Sequence, residues 1–210
     1  MTETAPPRST LKQVRILLWV LIALAVAGTA ALLLFRSAPM HPLQSSTPTA
    51  QPSFGGPFTL VGADGKPFSS ISLAGKPYAM YFGYTRCGDI CPTTLARLVK
   101  LRQQSGGDQA LSIVFVTIDP ANDGPKEVGQ YASLFNSPII GLTGSPPQIE
   151  QVKKQFGIYA KPERMGGNGA MLMNHTSSVL LFDRDGKFMA TIDGAEPDSS
   201  ALGKLKRITA

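Results

Sequence analysis

Gly83-Tyr84-Thr85-Arg86-Cys87-Gly88-Asp89-Ile90-Cys91-Pro92 contains both cysteines of the 210-residue chain. Three residues separate the two sulfurs, and on a helical or near-helical path that spacing puts them on one face, about one turn apart. Both can then reach one metal ion or each other. Immediately before the stretch, Tyr78-Ala79-Met80-Tyr81-Phe82 is a short continuous apolar run suited to a strand buried on both faces. Immediately after it, Leu95, Leu98, Val99 and Leu101 follow helical spacing, and Pro92 falls in the first turn, where a missing N–H costs least. Strand, cysteine loop and helix in direct succession are the frame for the rest.

Further along, Leu111 to Ile118 reads as a second buried strand, Lys126 to Phe135 as a helix, Ile139 to Leu142 as a short strand and Pro147 to Phe156 as another helix. Ser178 to Phe182 and Lys187 to Ile192 flank Asp183-Arg184-Asp185-Gly186, a hairpin signal, and a helix follows from about Asp198 to Arg207. Upstream, Phe58 to Val61 and Pro67 to Ile71 flank Ala63-Asp64-Gly65-Lys66, which reads as a small ribbon ahead of the main sheet. Alternating strands and helices that close on an antiparallel hairpin imply an α/β domain with a mixed central sheet covered by helices, over residues 54–210.

Towards the N-terminus, Ile16 to Phe35 contains no charged residue, and its length suffices to cross a hydrocarbon core of about 30 Å as a helix. Residues 16–35 are therefore read as a single transmembrane helix. A cleaved signal peptide is the competing reading, but the apolar run exceeds the usual length of such segments and no Ala-x-Ala site closes it. Arg8, Lys12 and Arg15 precede the helix and only Arg36 follows closely, which places residues 1–15 in the cytoplasm and the long C-terminal part outside. Residues 36–53, rich in Pro, Ser, Thr and Gln, read as a semi-extended tether, with His41 beside Met40 read as solvated.

From residue 37 onward, 16 Lys and Arg face 13 Asp and Glu, with no basic block and no interleaving of aromatic with basic residues. Nucleic-acid binding is excluded on that ground.

Phe82 to Pro92, the later Val116-Thr117-Ile118-Asp119-Pro120 with Asp123 and Pro125, and Asn174-His175-Thr176 ahead of a strand together resemble the Sco/SenC family. The likeness spans roughly residues 54 to 208. It implies a membrane-tethered, thioredoxin-like domain with an N-terminal β-hairpin extension. It also implies delivery of copper to the binuclear copper centre of cytochrome c oxidase, the acceptor being the oxidase's copper-bearing subunit. The family's metal-binding cysteines fall on Cys87 and Cys91 and its ligand histidine on His175. In such a sheet the loop before the terminal hairpin lies beside the cysteine loop, and His175 occupies that slot. Departures from the family pattern are Gly88 for Pro, Asn174 for Asp, and Asp119-Pro120-Ala121-Asn122-Asp123-Gly124-Pro125 for Asp-Pro-x-Arg-Asp-Thr-Pro.

Chemistry supports the same metal. Two thiolates and one imidazole are a soft set suited to Cu(I), and to Cu(II) when a further donor completes it. A structural zinc site would want a fourth protein ligand, and the folded part holds no third Cys or second His. Met165, Met171 and Met173, in a glycine-containing stretch read as a loop free to move over the site, are soft donors or simply fillers of apolar gaps. Asp89, Asp119 and Asp123 either tune thiol acidity and dock a partner or cap helices and fix turns.

The competing class is a tethered thiol-disulfide oxidoreductase with Cys87 and Cys91 as the redox pair. Its usual C-x-x-C spacing is absent, and the peroxiredoxin pattern fails because Met80 and Tyr84 stand where Pro and Thr would be. The reading is a metallochaperone rather than an enzyme, in a bacterial inner membrane with its domain in the periplasm. Other periplasmic copper carriers or thiol reductants are expected as partners.

Overall fold

The computed structural model describes residues 9–36, 54–164 and 171–210, in two units divided near residue 50. In the first, α1 (Ser9–Arg36) runs 28 residues. Its segment Lys12–Ala31 is long and apolar enough to cross a membrane, and the side chains along it are all exposed. An apolar surface of that length, uncovered by its own unit, is what a bilayer accommodates, because a helix satisfies its backbone groups internally. Arg36, read as the first residue of the tether, instead ends α1, and the rest of the tether, 37–53 with His41, lies outside the described residues.

The second unit opens with β1 (Thr59–Gly62) and β2 (Pro67–Ser69), paired antiparallel. The turn between them needs Gly65, whose φ of +75° lies in the left-handed region. A 3-10 turn at Ser70–Leu73 leads to β3 (Tyr78–Gly83), α2 (Ile90–Gln104) and β4 (Ser112–Thr117). Next come α3 (Pro125–Ser133), β5 (Ile140–Thr143), α4 (Pro146–Gln155), β6 (Ala160–Arg164) and β7 (Met171–His175). Then β8 (Val179–Phe182), β9 (Phe188–Ile192) and α5 (Asp198–Thr209) close the unit.

Seven strands form one mixed sheet in the order β2-β1-β5-β4-β3-β8-β9. β3, β4 and β5 are mutually parallel and the other pairings antiparallel. β3 is buried at all six positions and β8 at all four, the burial expected of strands covered on both faces. Phe82, Phe156 and Phe182 are fully buried and pack at ring-centroid distances of 5.7–5.9 Å. α2 packs on α5, and Arg97 donates from Nε to Asp198 across that contact at 2.7 Å.

Two features differ from the sequence reading. The N-terminal ribbon does not stand ahead of the sheet but extends it, with Val61 opposite Thr143, so that β5 is not left as an unpaired edge. The stretch ahead of β8 is not simply a loop: β6 and β7 pair as a separate two-stranded ribbon, Ala160 opposite His175 and Arg164 opposite Met171.

The register of β3 on β4 positions the site. Gly83 pairs with Thr117, so both strands end at one level, and the loops that follow, Tyr84–Asp89 and Ile118–Gly124, emerge side by side at the C-terminal edge of the parallel strands.

Candidate metal centre

Gly83 is the last residue of β3, and its missing side chain is a packing requirement. A Cβ there would lie 3.0 Å from Cys91 Sγ and 3.1 Å from the Phe115 and Tyr81 rings. The cysteine loop then turns on Cys87, whose N–H donates to the Tyr84 carbonyl at 3.2 Å. Two residues upstream, Thr85 donates from its backbone N–H (2.9 Å) and its hydroxyl (2.6 Å) to the carboxylate of Asp123. Asp123 is fully buried, accepts a third bond from the Thr117 hydroxyl at 2.7 Å, and receives the Thr143 hydroxyl on its own carbonyl at 2.6 Å. One side chain thus ties the cysteine loop to the ends of β4 and β5. Asp119 pairs with Arg86 at 2.6 Å and also accepts from the Asn122 amide. Of the two roles open to these carboxylates, Asp119 and Asp123 take the one that fixes loops. Asp89 is the N-cap residue of α2, and its carbonyl accepts from Thr93.

Both cysteines are free thiols, Cys87 half-buried and Cys91 fully buried in the first turn of α2. Cys87 Sγ accepts the Cys91 backbone N–H at 3.3 Å, at the helix end where negative charge is favoured. Burial, and the neighbouring Cys87 thiol second, push the Cys91 thiol up to about 12, so it holds its proton unless a metal displaces it.

His175 ends β7, and the ribbon closes around it: Thr176 N–H donates to the Tyr159 carbonyl at 2.9 Å, and Tyr159 N–H to the Thr176 hydroxyl at 3.2 Å. Its Nδ1 lies 2.9 Å from the Thr176 carbonyl, an acceptor, so Nδ1 carries the hydrogen and Nε2 keeps a free lone pair. Residue 174 has no part in this bond. The carbonyl of Thr176 orients the ring, so Asn174 in place of Asp leaves that orientation intact. Tyr81 and Tyr84 meet the imidazole edge to face, with centroids 6.3 and 6.0 Å away. Burial moves the imidazole below its ordinary value of 6.5, keeping it neutral.

Nε2 of His175 lies 3.7 Å from Cys91 Sγ, across 84 residues of sequence. A sulfur about 2.3 Å and a nitrogen about 2.0 Å from a shared ion, at a trigonal angle, lie about 3.7 Å apart. Among the described residues no group of three Cys, His, Asp or Glu side chains converges closely enough to hold an ion. The structure therefore places Cys91 and His175 at the spacing of two donors to one ion, with the Cys87 sulfur turned to the Cys91 N–H beside them. Cys87 and His175 line an open cleft of about 550 Å3, with Met173 and Ile90 at its side, while Cys91 is fully buried behind them. Met173 packs half-buried against the core, Met171 sits on β7, and Met165 and the glycine run beside it lie outside the described residues.

Sequence reading offered Asp123 as a turn-fixing carboxylate without its partner Thr85, and missed Tyr81 and Tyr84 as the walls of the imidazole. It also missed the β6–β7 ribbon, for which a signal existed, since Gly166-Gly167-Asn168-Gly169 between two extended segments is hairpin punctuation.

Fold and site define a class: a thioredoxin-like domain that presents two thiols and a neutral imidazole beyond the C-terminal edge of its parallel strands. The chain belongs to the SCO1/SenC family, whose model matches residues 46–210. It is 34% identical over 157 residues to the mitochondrial protein SCO2 of Saccharomyces cerevisiae, 73% of this chain and 52% of that one. It is 32% identical over 168 residues to an SCO2-like protein of Rickettsia prowazekii, 77% of this chain and 81% of that one. The chain thus spans about half the length of the yeast relative and most of the rickettsial one. Among solved structures, Bradyrhizobium japonicum ScoI with copper bound matches at TM-score 0.66 and 35% identity, covering 74% of this chain and 99% of that one. Yeast Sco1 with copper bound matches at TM-score 0.65 and 30% identity, covering 74% and 87%. BsSco, described with a disulfide switch, matches at TM-score 0.58 and 28% identity, covering 73% and 92%.

Proposed function

We propose that the protein is a membrane-anchored copper carrier that holds copper through Cys87, Cys91 and His175 and passes it to the copper-bearing subunit of cytochrome c oxidase. The observation that carries this reading is the 3.7 Å approach of His175 Nε2 to Cys91 Sγ, with Nδ1 engaged elsewhere. A buried thiol facing the free lone pair of a neutral imidazole is a donor pair, and Cys87, half-buried beside it, supplies the third soft donor. Relatives of this fold have been solved with copper bound. Low coordination suits Cu(I) to three donors and to ligand exchange with an acceptor presenting soft ligands of its own. Residues 16–35 anchor the domain in a bacterial inner membrane, and the bias of Lys and Arg towards residues 1–15 supports its position outside the cytoplasm.

A second reading rests on the same thiols. The Cys91 N–H donates to the Cys87 sulfur at 3.3 Å, so the two cysteines are neighbours able to pair, and the BsSco relative is described with a disulfide switch. We assign the disulfide as a gate on loading rather than as a separate activity. The test is to oxidise the protein quantitatively and titrate it with Cu(I). Reduced protein binds one equivalent and oxidised protein none; equal binding by both forms refutes the thiolate site.

A further inference from the structure

Tyr81 lies in the middle of β3, fully buried, and its hydroxyl has no hydrogen-bond partner among the described residues. An orphaned buried hydroxyl is destabilising, and phenylalanine would fill the same space without that penalty. Its surroundings indicate why a tyrosine stands there. The position a Gly83 Cβ would take is 3.0 Å from Cys91 Sγ and 3.1 Å from Tyr81 Cε1, so sulfur and ring edge close on one point. The ring also stands edge-on to His175, at 6.3 Å between centroids. The polar side chains within reach of its oxygen are those of Cys91 and Thr94.

We propose that the Tyr81 hydroxyl donates a hydrogen bond to the Cys91 sulfur when that sulfur is a thiolate, which makes Tyr81 a positioning residue for metal loading. A protonated thiol is a poor acceptor, so a hydroxyl facing it gains little. A thiolate is a strong acceptor, and hydrogen bonds to charged groups exceed neutral ones. A phenol ordinarily titrates near about 10, so at neutral pH it carries its proton and can donate. Tyr131 provides the contrast. Its hydroxyl is also buried and orphaned, but the two thiols reach it only through charge, with no hydrogen bond.

The inference rests on the copper reading above, and the experiment separates the two. Full-length protein in detergent, reduced, is titrated with Cu(I) against a chromophoric chelator as wild type, Tyr81→Phe and Tyr131→Phe. Thermal unfolding of each metal-free protein and the thiolate-to-Cu(II) absorption band are recorded alongside. Tyr81→Phe is expected to bind about tenfold or more weakly, one charge-assisted hydrogen bond being lost. Its metal-free form unfolds no earlier than the wild type, and its absorption band moves to longer wavelength as the sulfur lone pairs rise in energy. Tyr131→Phe retains wild-type affinity. Unchanged affinity and an unmoved band in Tyr81→Phe overturn the inference and leave the copper reading standing. Weaker binding accompanied by earlier unfolding also overturns it, since the loss is then structural. Failure of the wild type to bind Cu(I) removes the copper reading, and the inference with it.

Discussion

Replacement of Asp123 by alanine removes the acceptor of three hydrogen bonds and leaves the Thr85 N–H, the Thr85 hydroxyl and the Thr117 hydroxyl to find other partners. Thr117 is fully buried and Thr85 half-buried, so water replaces the carboxylate poorly. Hydrogen bonds to a charged group contribute about 1.5–3 kcal/mol each. Relief of the buried carboxylate's own desolvation offsets part of that sum. A loss of about 3–5 kcal/mol is expected for Asp123→Ala and about 2 kcal/mol for Asp123→Asn, which keeps the shape and one oxygen acceptor. Urea unfolding of residues 37–210 measures both. Because Thr85 stands two residues before Cys87, the alanine variant also loosens the cysteine loop, and its Cu(I) affinity falls in native buffer, where the domain is still folded. A loss below about 1 kcal/mol for Asp123→Ala would refute the view that this carboxylate anchors the loop.

Two further predictions concern the site itself. Gly83→Ala forces a methyl group to within 3.0 Å of Cys91 Sγ and 3.1 Å of Phe115, and overpacking of this kind costs about 1–3 kcal/mol; an unchanged urea midpoint would mean that the strand yields freely. Because the Cys91 thiol sits near 12, above any working pH, metal must displace its proton. Apparent Cu(I) affinity then rises about tenfold per pH unit through this thiol alone, measured by competition between pH 6.5 and 8.5; a flat profile would contradict a thiol that is protonated in the metal-free state.

Much of the framework is legible in local pattern. Tyr78 to Phe82 is apolar at every position because β3 is covered on both faces, and the Asp-Gly turn between β8 and β9 signals their pairing. Other features depend on partners distant in the chain. Thr59 to Gly62 carries nothing that specifies pairing with Ile140 to Thr143, some 80 residues on, so the ribbon's place at the sheet edge was not readable. Cys87 and Cys91 are conspicuous as the two cysteines of the chain, whereas His175 gains its meaning from the family pattern, and its actual position at the end of a strand comes from the β6–β7 ribbon. Asp123 and Tyr81 look ordinary in sequence, one a turn carboxylate and the other a core aromatic. Their roles depend on what the fold sets against them: the Thr85 N–H and hydroxyl in the first case, the Cys91 sulfur in the second.

The central claim is that Cys87, Cys91 and His175 share one copper ion, and it is tested most directly by titrating the reduced domain, residues 37–210, with Cu(I) against a competing chelator, beside His175→Ala and Cys87→Ser. The account predicts tight one-to-one binding that weakens about a hundredfold or more when either donor is removed, since a three-donor site becomes a two-donor one. Binding that is weak, or indifferent to His175, would contradict it and shift the reading to a tethered thiol-disulfide reductase.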